Sequence, residues 1–252
     1  MAVLPFAGSI FAALGMRVVL YPWALLASVL LAHTFTFHFV EPRRWAAIRL
    51  DSAALQPRSV ATGGLLGALA VGVPSLVLLA IGWLHAVPAP DGSSILTGLS
   101  TLLFLAPAAL WEELMFRGYA FTVLSEWLHP AVALGLTSAV FGLVHLQNSG
   151  ASAPSISVVV LAGVFLGGVL LATKSLYAAF AAHLAWNWTL AGVLHAAVSG
   201  IPFVTPDYQV VDAGPDWATG GVWGPEGGVP AALGLAVASI YLYLRRSRRE
   251  EP

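Results

Sequence analysis

The sequence predicts an all-α fold: a polytopic bundle of seven to eight transmembrane helices, forming a single membrane domain over residues 1–252. Three observations carry that expectation. Of the 252 residues, 58% are hydrophobic and only 9% charged, against about 25% charged in a soluble domain, and the mean hydropathy is +0.84. The apolar residues gather in segments long enough for helices that cross a hydrocarbon core of about 30 Å, not in the short alternating runs of a barrel. Every cluster of basic residues falls on one side once those segments are threaded through a bilayer. Composition also excludes some classes of function. With no cysteine, disulfides, thiol catalysis and thiolate metal sites are removed. A net charge of -1 leaves no basic footprint for nucleic acid. No basic stretch precedes the first apolar run, so a cleaved signal peptide is not expected.

The elements follow in order. Residues 18–39 read as the first span; residues 2–16 could add a short span, a re-entrant piece or an interfacial helix. The loop 41–59 carries Arg43, Arg44, Arg49 and Arg58, which assigns it to the cytoplasm. A second span covers 60–87, and the Pro/Gly-rich residues 88–94 form a turn. The third segment, 95–128, would be about 50 Å long as one helix, longer than a bilayer core. It is expected to tilt, to break near Pro107 or to project into water. His129-Pro130 ends it. Spans at 131–146, 156–173 and 176–198 follow, separated by a polar loop at 147–155 and by Lys174. Residues 200–228 hold Asp207, Asp212, Asp216 and Glu226 with no Lys or Arg and read as a solvated connector. The last span is 229–244, with Arg245, Arg246, Arg248 and Arg249 behind it. Counting crossings from a cytoplasmic arginine loop puts Lys174 and the C-terminus inside and the acidic loop outside. A multi-pass protein of the cell membrane with a cytoplasmic C-terminus results.

One stretch breaks the apolar pattern. Trp111 to Phe121, WEELMFRGYAF, sets Glu112, Glu113 and Arg117 within a span. One charge at the centre of a membrane helix costs about 2.5–3.5 kcal/mol on insertion scales, and such residues face a protein interior or a wet cavity. Glu113 and Arg117 are four apart, acid before base, the favoured order for a helical pair. Glu112 lies about 100° round the helix, so one carboxylate pairs while the other stays free. Phe141 and His145, in FGLVH, and His183 and Asn187, in HLAWN, are also four apart. If 95–128 and 131–146 form a hairpin at His129-Pro130, Glu112 and His145 sit at nearly one level. Side chains from three helices then meet at one site.

EELMFR, FGLVH and HLAWN match the patterns EExxxR, FxxxH and HxxxN, in that order on successive apolar segments. Residues 95–198 thereby resemble the core of the type II CAAX prenyl endopeptidases, the CAAX protease and bacteriocin-processing family of intramembrane glutamic proteases. The resemblance implies peptide hydrolysis. Glu112 and His145 would activate water, His183 and Asn187 would form the oxyanion hole, and Glu113, Arg117 and Phe141 would support them. The residue types suit that chemistry: a carboxylate removed from water is a stronger base, and the transition state needs donors for its oxyanion. The implied partners are a membrane-anchored protein or peptide substrate, with prenylated CAAX-type chains among the candidates, and the lipid bilayer. No cofactor is expected. Two glutamates and two histidines could ligate zinc, the less favoured alternative, and no HExxH occurs. A proton-coupled transporter and a non-catalytic membrane scaffold or immunity protein are the other readings, although no repeated halves support transport. His33, His38, His85, His129 and His195 match no motif and read as core or interfacial residues, and most of the nine tryptophans read as an interface belt.

Overall fold

The computed structural model describes residues 20–89, 95–203 and 208–250. The expected segment 2–16, most of the turn at 88–94 and Asp207 lie outside the described residues.

The described chain is nearly all helix. Helix α1, Tyr21–Phe35, starts with Pro22 in its first turn and runs on as a π turn, Thr36–Val40. Helix α2, Pro57–Ala80, also has proline in its first turn, where the missing N–H costs nothing. It ends seven residues short of the expected span. Gly82, at φ +74°, turns the chain, and Leu84–Pro88 becomes strand β1. This strand pairs antiparallel with β2, Tyr208–Asp212, with Leu84 opposite Asp212. The two-stranded ribbon is the departure from an all-α fold. Its pairing partner lies over a hundred residues away, so nothing local to 81–88 marks it.

The long third segment divides into α3, Ile95–Arg117, and α4, Tyr119–Trp127. The break falls at Gly118, not at Pro107, which stays inside α3. At Gly118 a Cβ would lie 2.2 Å from the Leu114 carbonyl oxygen and 2.7 Å from Nε2 of His33. His33 donates from Nδ1 to the Val29 carbonyl (2.9 Å), and its Nε2 accepts the Tyr119 backbone N–H at 3.3 Å. An imidazole thus satisfies a donor that the break exposes. Outside the apolar part, Arg43 joins Glu41 to Glu126 of α4, with 2.6 and 2.7 Å to the latter. The Tyr119 hydroxyl donates to Glu41 at 2.5 Å, and that bond, with Arg43, holds the Glu41 carboxyl below the usual range.

His129 caps α5, Pro130–Val144, by accepting the Ala131 N–H, so the expected hairpin forms at His129-Pro130. A capping box of Ser152 and Ser155 opens α6, Ala153–Thr173, and Lys174 closes it in the left-handed region. Helix α7, Leu176–Trp188, is capped by Ser175 and continues as a π turn to Val193. After β2 come a single helical turn, α8, Asp216–Thr219, and the final helix α9, Val229–Glu250.

Among the described residues, five helical stretches have the length and apolarity to cross a membrane: Tyr21–Val40, Pro57–Ala80, Thr97–Trp127, Pro130–Gln147 and Ala153–Thr173. α7 and α9 are shorter or less apolar, so this criterion stops below the expected seven or eight. The outer faces match a lipid environment. Leu65, Leu69, Leu76, Val132, Leu136, Val140, Val237 and Ile240 are all exposed, a pattern that water would penalise.

Helix α7 is central, packed on α2, α3 and α6. Its contact with α2 has small residues on both sides. A Cβ at Gly63 would sit 2.1 Å from the Ala178 carbonyl oxygen, and one at Gly67 2.0 Å from that of Ala182. Apolar solvent gives helices no hydrophobic reason to associate, so close backbone approach through small residues supplies the attraction. Helix α9 approaches α2 just as closely, Gly234 against the Ala70 carbonyl.

The reading of 200–228 as a solvated connector is corrected. The segment folds back on the bundle through α8 and two 3-10 turns, Gly221–Trp223 and Pro225–Gly227, and Trp223, Pro225 and Glu226 are buried. Glycine permits this: Gly220 and Gly224 have φ +77° and +100°, and a Cβ at Gly224 would lie 2.5 Å from the Ala197 carbonyl. Glycine richness reads as flexibility in one dimension but here serves close winding.

Replacing Gly67 with Ile will force α2 and α7 apart and destabilise the fold by about 1–3 kcal/mol, the range for overpacking. Gly135→Ala, where a Cβ meets nothing within 4 Å, will leave stability unchanged or slightly raised. Thermal unfolding in detergent reads both, and equal midpoints would contradict the packing account.

Candidate active site

Helix α3 brings two adjacent glutamates to different surroundings. Glu113 is fully buried. Its Oε1 accepts from Arg117 Nη1 at 3.1 Å, one turn along the same helix, and from His183 Nδ1 of α7 at 2.9 Å. Its Oε2 is buried without a partner among the described residues. Arg117 reaches α6 as well, donating from Nη2 to the Gly163 carbonyl at 3.1 Å. Its guanidinium stands 4.3 Å from the ring centre of Phe141 on α5, a cation–π contact in a dry setting. Four helices therefore share one buried ion pair.

Glu112, next along α3, points elsewhere. It faces a cavity of about 350 Å³ whose walls include Phe141, His145, His183, Asn187 and Glu226. Its Oε2 is 3.8 Å from His183 Nε2, too long for a hydrogen bond. His183 thus stands between both carboxylates. With Nδ1–H given to Glu113, a neutral ring presents a bare Nε2 to the cavity; only the imidazolium donates from both nitrogens. His145 opens the 3-10 turn that follows α5. Its Nδ1–H donates to the Phe141 carbonyl at 2.7 Å, which leaves Nε2 of the neutral form unprotonated. The Phe141 ring packs edge-on to Phe116 at 5.2 Å and lies 4.8 Å from His145 and 6.0 Å from His183. Asn187, one turn beyond His183, lines the same cavity.

All seven residues singled out in the sequence are therefore together. Glu112, His145, His183, Asn187 and Phe141 border one space, and Glu113 and Arg117 lie just behind it. The remaining walls are mostly apolar, with Phe104, Trp111, Phe165 and Phe203 among them. The arrangement offers a free carboxylate, two imidazoles and an amide around room for a small segment of peptide.

Residues 94–189 match the family model described as type II CAAX prenyl endopeptidase Rce1-like. This core is Rce1-like. The family is one of peptidases, and the matched stretch contains Glu112, Glu113, Arg117, Phe141, His145, His183 and Asn187. The resemblance drawn from the three motifs thus holds. No curated protein and no solved structure matches the chain. Among the described residues no group of three or more His, Cys, Asp or Glu side chains has the arrangement to hold a metal ion.

Among the cavity residues that belong to no motif is a further carboxylate, Glu226, which lies beyond the matched residues 94–189. Its Oε2 accepts the Trp186 indole N–H at 2.5 Å, and its Oε1 accepts the Ser199 hydroxyl at 2.9 Å and the Ser199 backbone N–H. Burial pushes the Glu226 carboxyl up; the bonds from Trp186 and Ser199 and the neighbouring His145 oppose that. Its signal in the sequence is faint. Glu226 is the sole charged residue between Asp216 and Arg245, in a run of glycine and tryptophan.

Arg117→Ala will leave the Glu113 carboxylate buried without its cation, at a cost of about 3–5 kcal/mol. Arg117→Lys will recover only part, since one ammonium cannot reach Glu113 and the Gly163 carbonyl while lying flat on Phe141. Unfolding midpoints in detergent measure both; a wild-type midpoint for Arg117→Ala would remove the ion pair from its structural role.

Proposed function

We propose that the protein is an intramembrane glutamic endopeptidase that cleaves a membrane-anchored protein or peptide. One observation carries this reading: Glu112 faces the cavity with His183 Nε2 3.8 Å away, beyond hydrogen-bond reach, while its neighbour Glu113 takes the Arg117 charge. Glu112 accepts a proton from a water that His145 helps to orient, and the resulting hydroxide attacks the scissile carbonyl carbon. The carbonyl oxygen becomes an oxyanion, which the Asn187 amide and the His183 imidazolium receive as hydrogen-bond donors. The C–N bond then breaks, and the proton held by Glu112 passes to the leaving amine. Glu113 keeps His183 in place, Arg117 holds Glu113 through their ion pair, and Phe141 fixes the walls. The Rce1-like match supports the peptidase chemistry, and CAAX-type prenylated chains are the first substrates to try.

The orientation belongs to the same proposal. The arginine loop and the C-terminus face the cytoplasm of a cell membrane, and the α2–α7 and α6–α9 packing supports α7 and α9 as two further crossings, making seven from α1 onward.

Glu112→Gln keeps the size and hydrogen bonding of the side chain and removes the base. It will lower kcat against a membrane-anchored peptide by about 10²–10⁴-fold, with the thermal midpoint unchanged. His145→Ala will act in the same direction. Cleavage followed by mass spectrometry in reconstituted vesicles is the assay. Full turnover by Glu112→Gln would end the glutamic mechanism, and proton-coupled flux without any cleavage would favour transport instead.

A further inference from the structure

The charged group that the peptidase chemistry leaves unused is Glu226, and its contacts lead in two directions. One oxygen holds the indole of Trp186, which sits on α7 between His183 and Asn187. The other holds the hydroxyl and the backbone N–H of Ser199. Ser199 and Gly200 form a tight turn, both in the left-handed region at φ +48° and +75°, closed by paired backbone bonds between Val198 and Ile201. Positive φ at both central positions is the primed hairpin turn, for which Ser is a poor first residue. The strain is held in place by contacts on both sides. Gly200 N–H donates to the Trp223 carbonyl at 3.0 Å, and a Cβ at Gly200 would sit 1.9 Å from the Ser149 carbonyl oxygen.

From that turn the chain of bonds runs on to the second histidine. The Ser199 carbonyl accepts from Asn148 Nδ2 at 3.0 Å, and the Asn148 N–H donates to the His145 carbonyl at 3.0 Å. A continuous path therefore runs from Trp186, through Glu226, Ser199 and Asn148, to His145. It crosses from the FGLVH motif to the HLAWN motif, which no backbone connection joins directly. Glu226 also lines the cavity, alongside the titratable side chains Tyr21, Glu112, His145 and His183.

We propose that Glu226 is a positioning residue of the active site, bracing the turn that bears His145 against the helix that bears His183 and Asn187. This rests on the proteolytic reading for its kinetic consequence, but not for its geometry. A carboxylate suits the task because each oxygen can take two donors, and three converge here. Gln offers one acceptor oxygen and turns an NH2 group against either the indole or Ser199. The 200–228 segment thereby acquires a purpose: its glycines wind it closely enough to deliver one carboxylate to the cavity.

The test separates brace from chemistry. The chain has no cysteine, so Leu146→Cys, in the turn that His145 opens, and Val193→Cys, in the π turn that continues α7, both at exposed positions, can carry spin labels in full-length protein in vesicles. Pulsed electron-spin distance measurement is expected to give a narrow distribution in the wild-type background and a broader or displaced one in Glu226→Gln. Asn148→Ala, which cuts the path without leaving the buried carboxylate short of a donor, is expected to act likewise. In the cleavage assay, Glu226→Gln is expected to lower kcat by about tenfold to a hundredfold with KM little changed, and Glu226→Asp to recover part of the loss. An unchanged distribution in both variants overturns the proposal. So does a Glu226→Gln protein that loses thermal stability but keeps full kcat per folded molecule. If the distances respond while the wild-type protein cleaves nothing, the brace stands and the proteolytic reading falls.

Discussion

A charge inside an apolar bundle has to find its partner within the protein, and Glu113 with Arg117 is where that constraint acts. Neither group meets water. The pair is supplied by one helix at a spacing of one turn, but it is completed by three others: the Gly163 carbonyl of α6, the Phe141 face of α5 and His183 of α7. Desolvating two ions repays only when the remaining donors and acceptors are also engaged. The helices are thus held at one mutual setting by groups that could not be left unpaired. Glu112 inherits its position from that setting. With its neighbour locked into the ion pair, the helix rotation of about 100° per residue turns it to the cavity side, where it meets His183 without bonding to it.

Close packing of small residues provides the frame. Gly63 and Gly67 on α2 let the backbone reach Ala178 and Ala182 of α7, and Gly234 brings α9 against Ala70. Gly163 allows α6 to approach Ser138 of α5, where a Cβ would be 2.9 Å away. The carbonyl that Arg117 binds is this same Gly163. Packing and charge satisfaction therefore meet at one residue, and the polar pocket does not need a thick shell of side chains to hold it. The same economy of side-chain volume recurs outside the helices. Glycines at 220, 221, 224, 227 and 228 let a loop that carries one buried glutamate press onto the ends of α6 and α9.

The candidate site was legible to an unusual degree because its parts are local. Glu113 and Arg117, Phe141 and His145, and His183 and Asn187 each lie one helical turn apart, and a helix fixes that relation without any tertiary help. The His129-Pro130 hairpin then set α3 and α5 side by side. Glu226 was not legible, because its partners Trp186 and Ser199 lie 40 and 27 residues away and no periodicity links them. The break at Gly118 was not legible for a related reason: of the alternatives for this long segment, a break was expected only near Pro107, whereas at Gly118 the freed Tyr119 N–H is accepted by His33 from α1.

By itself, then, the sequence determined a helical membrane protein, the one-turn pairings within each motif and the likeness of residues 94–189 to a family of endopeptidases. These follow from hydropathy and from the geometry of a single helix, properties that each segment carries with it. Tertiary structure alone decided that 81–88 leaves the helix to pair with 208–212, and that the acidic loop returns to line the cavity. It also decided that His183 is bound to Glu113 while facing Glu112. Each of these depends on a hydrogen-bonding partner or a close backbone approach from far along the chain, and such a partner exists only once the bundle has formed.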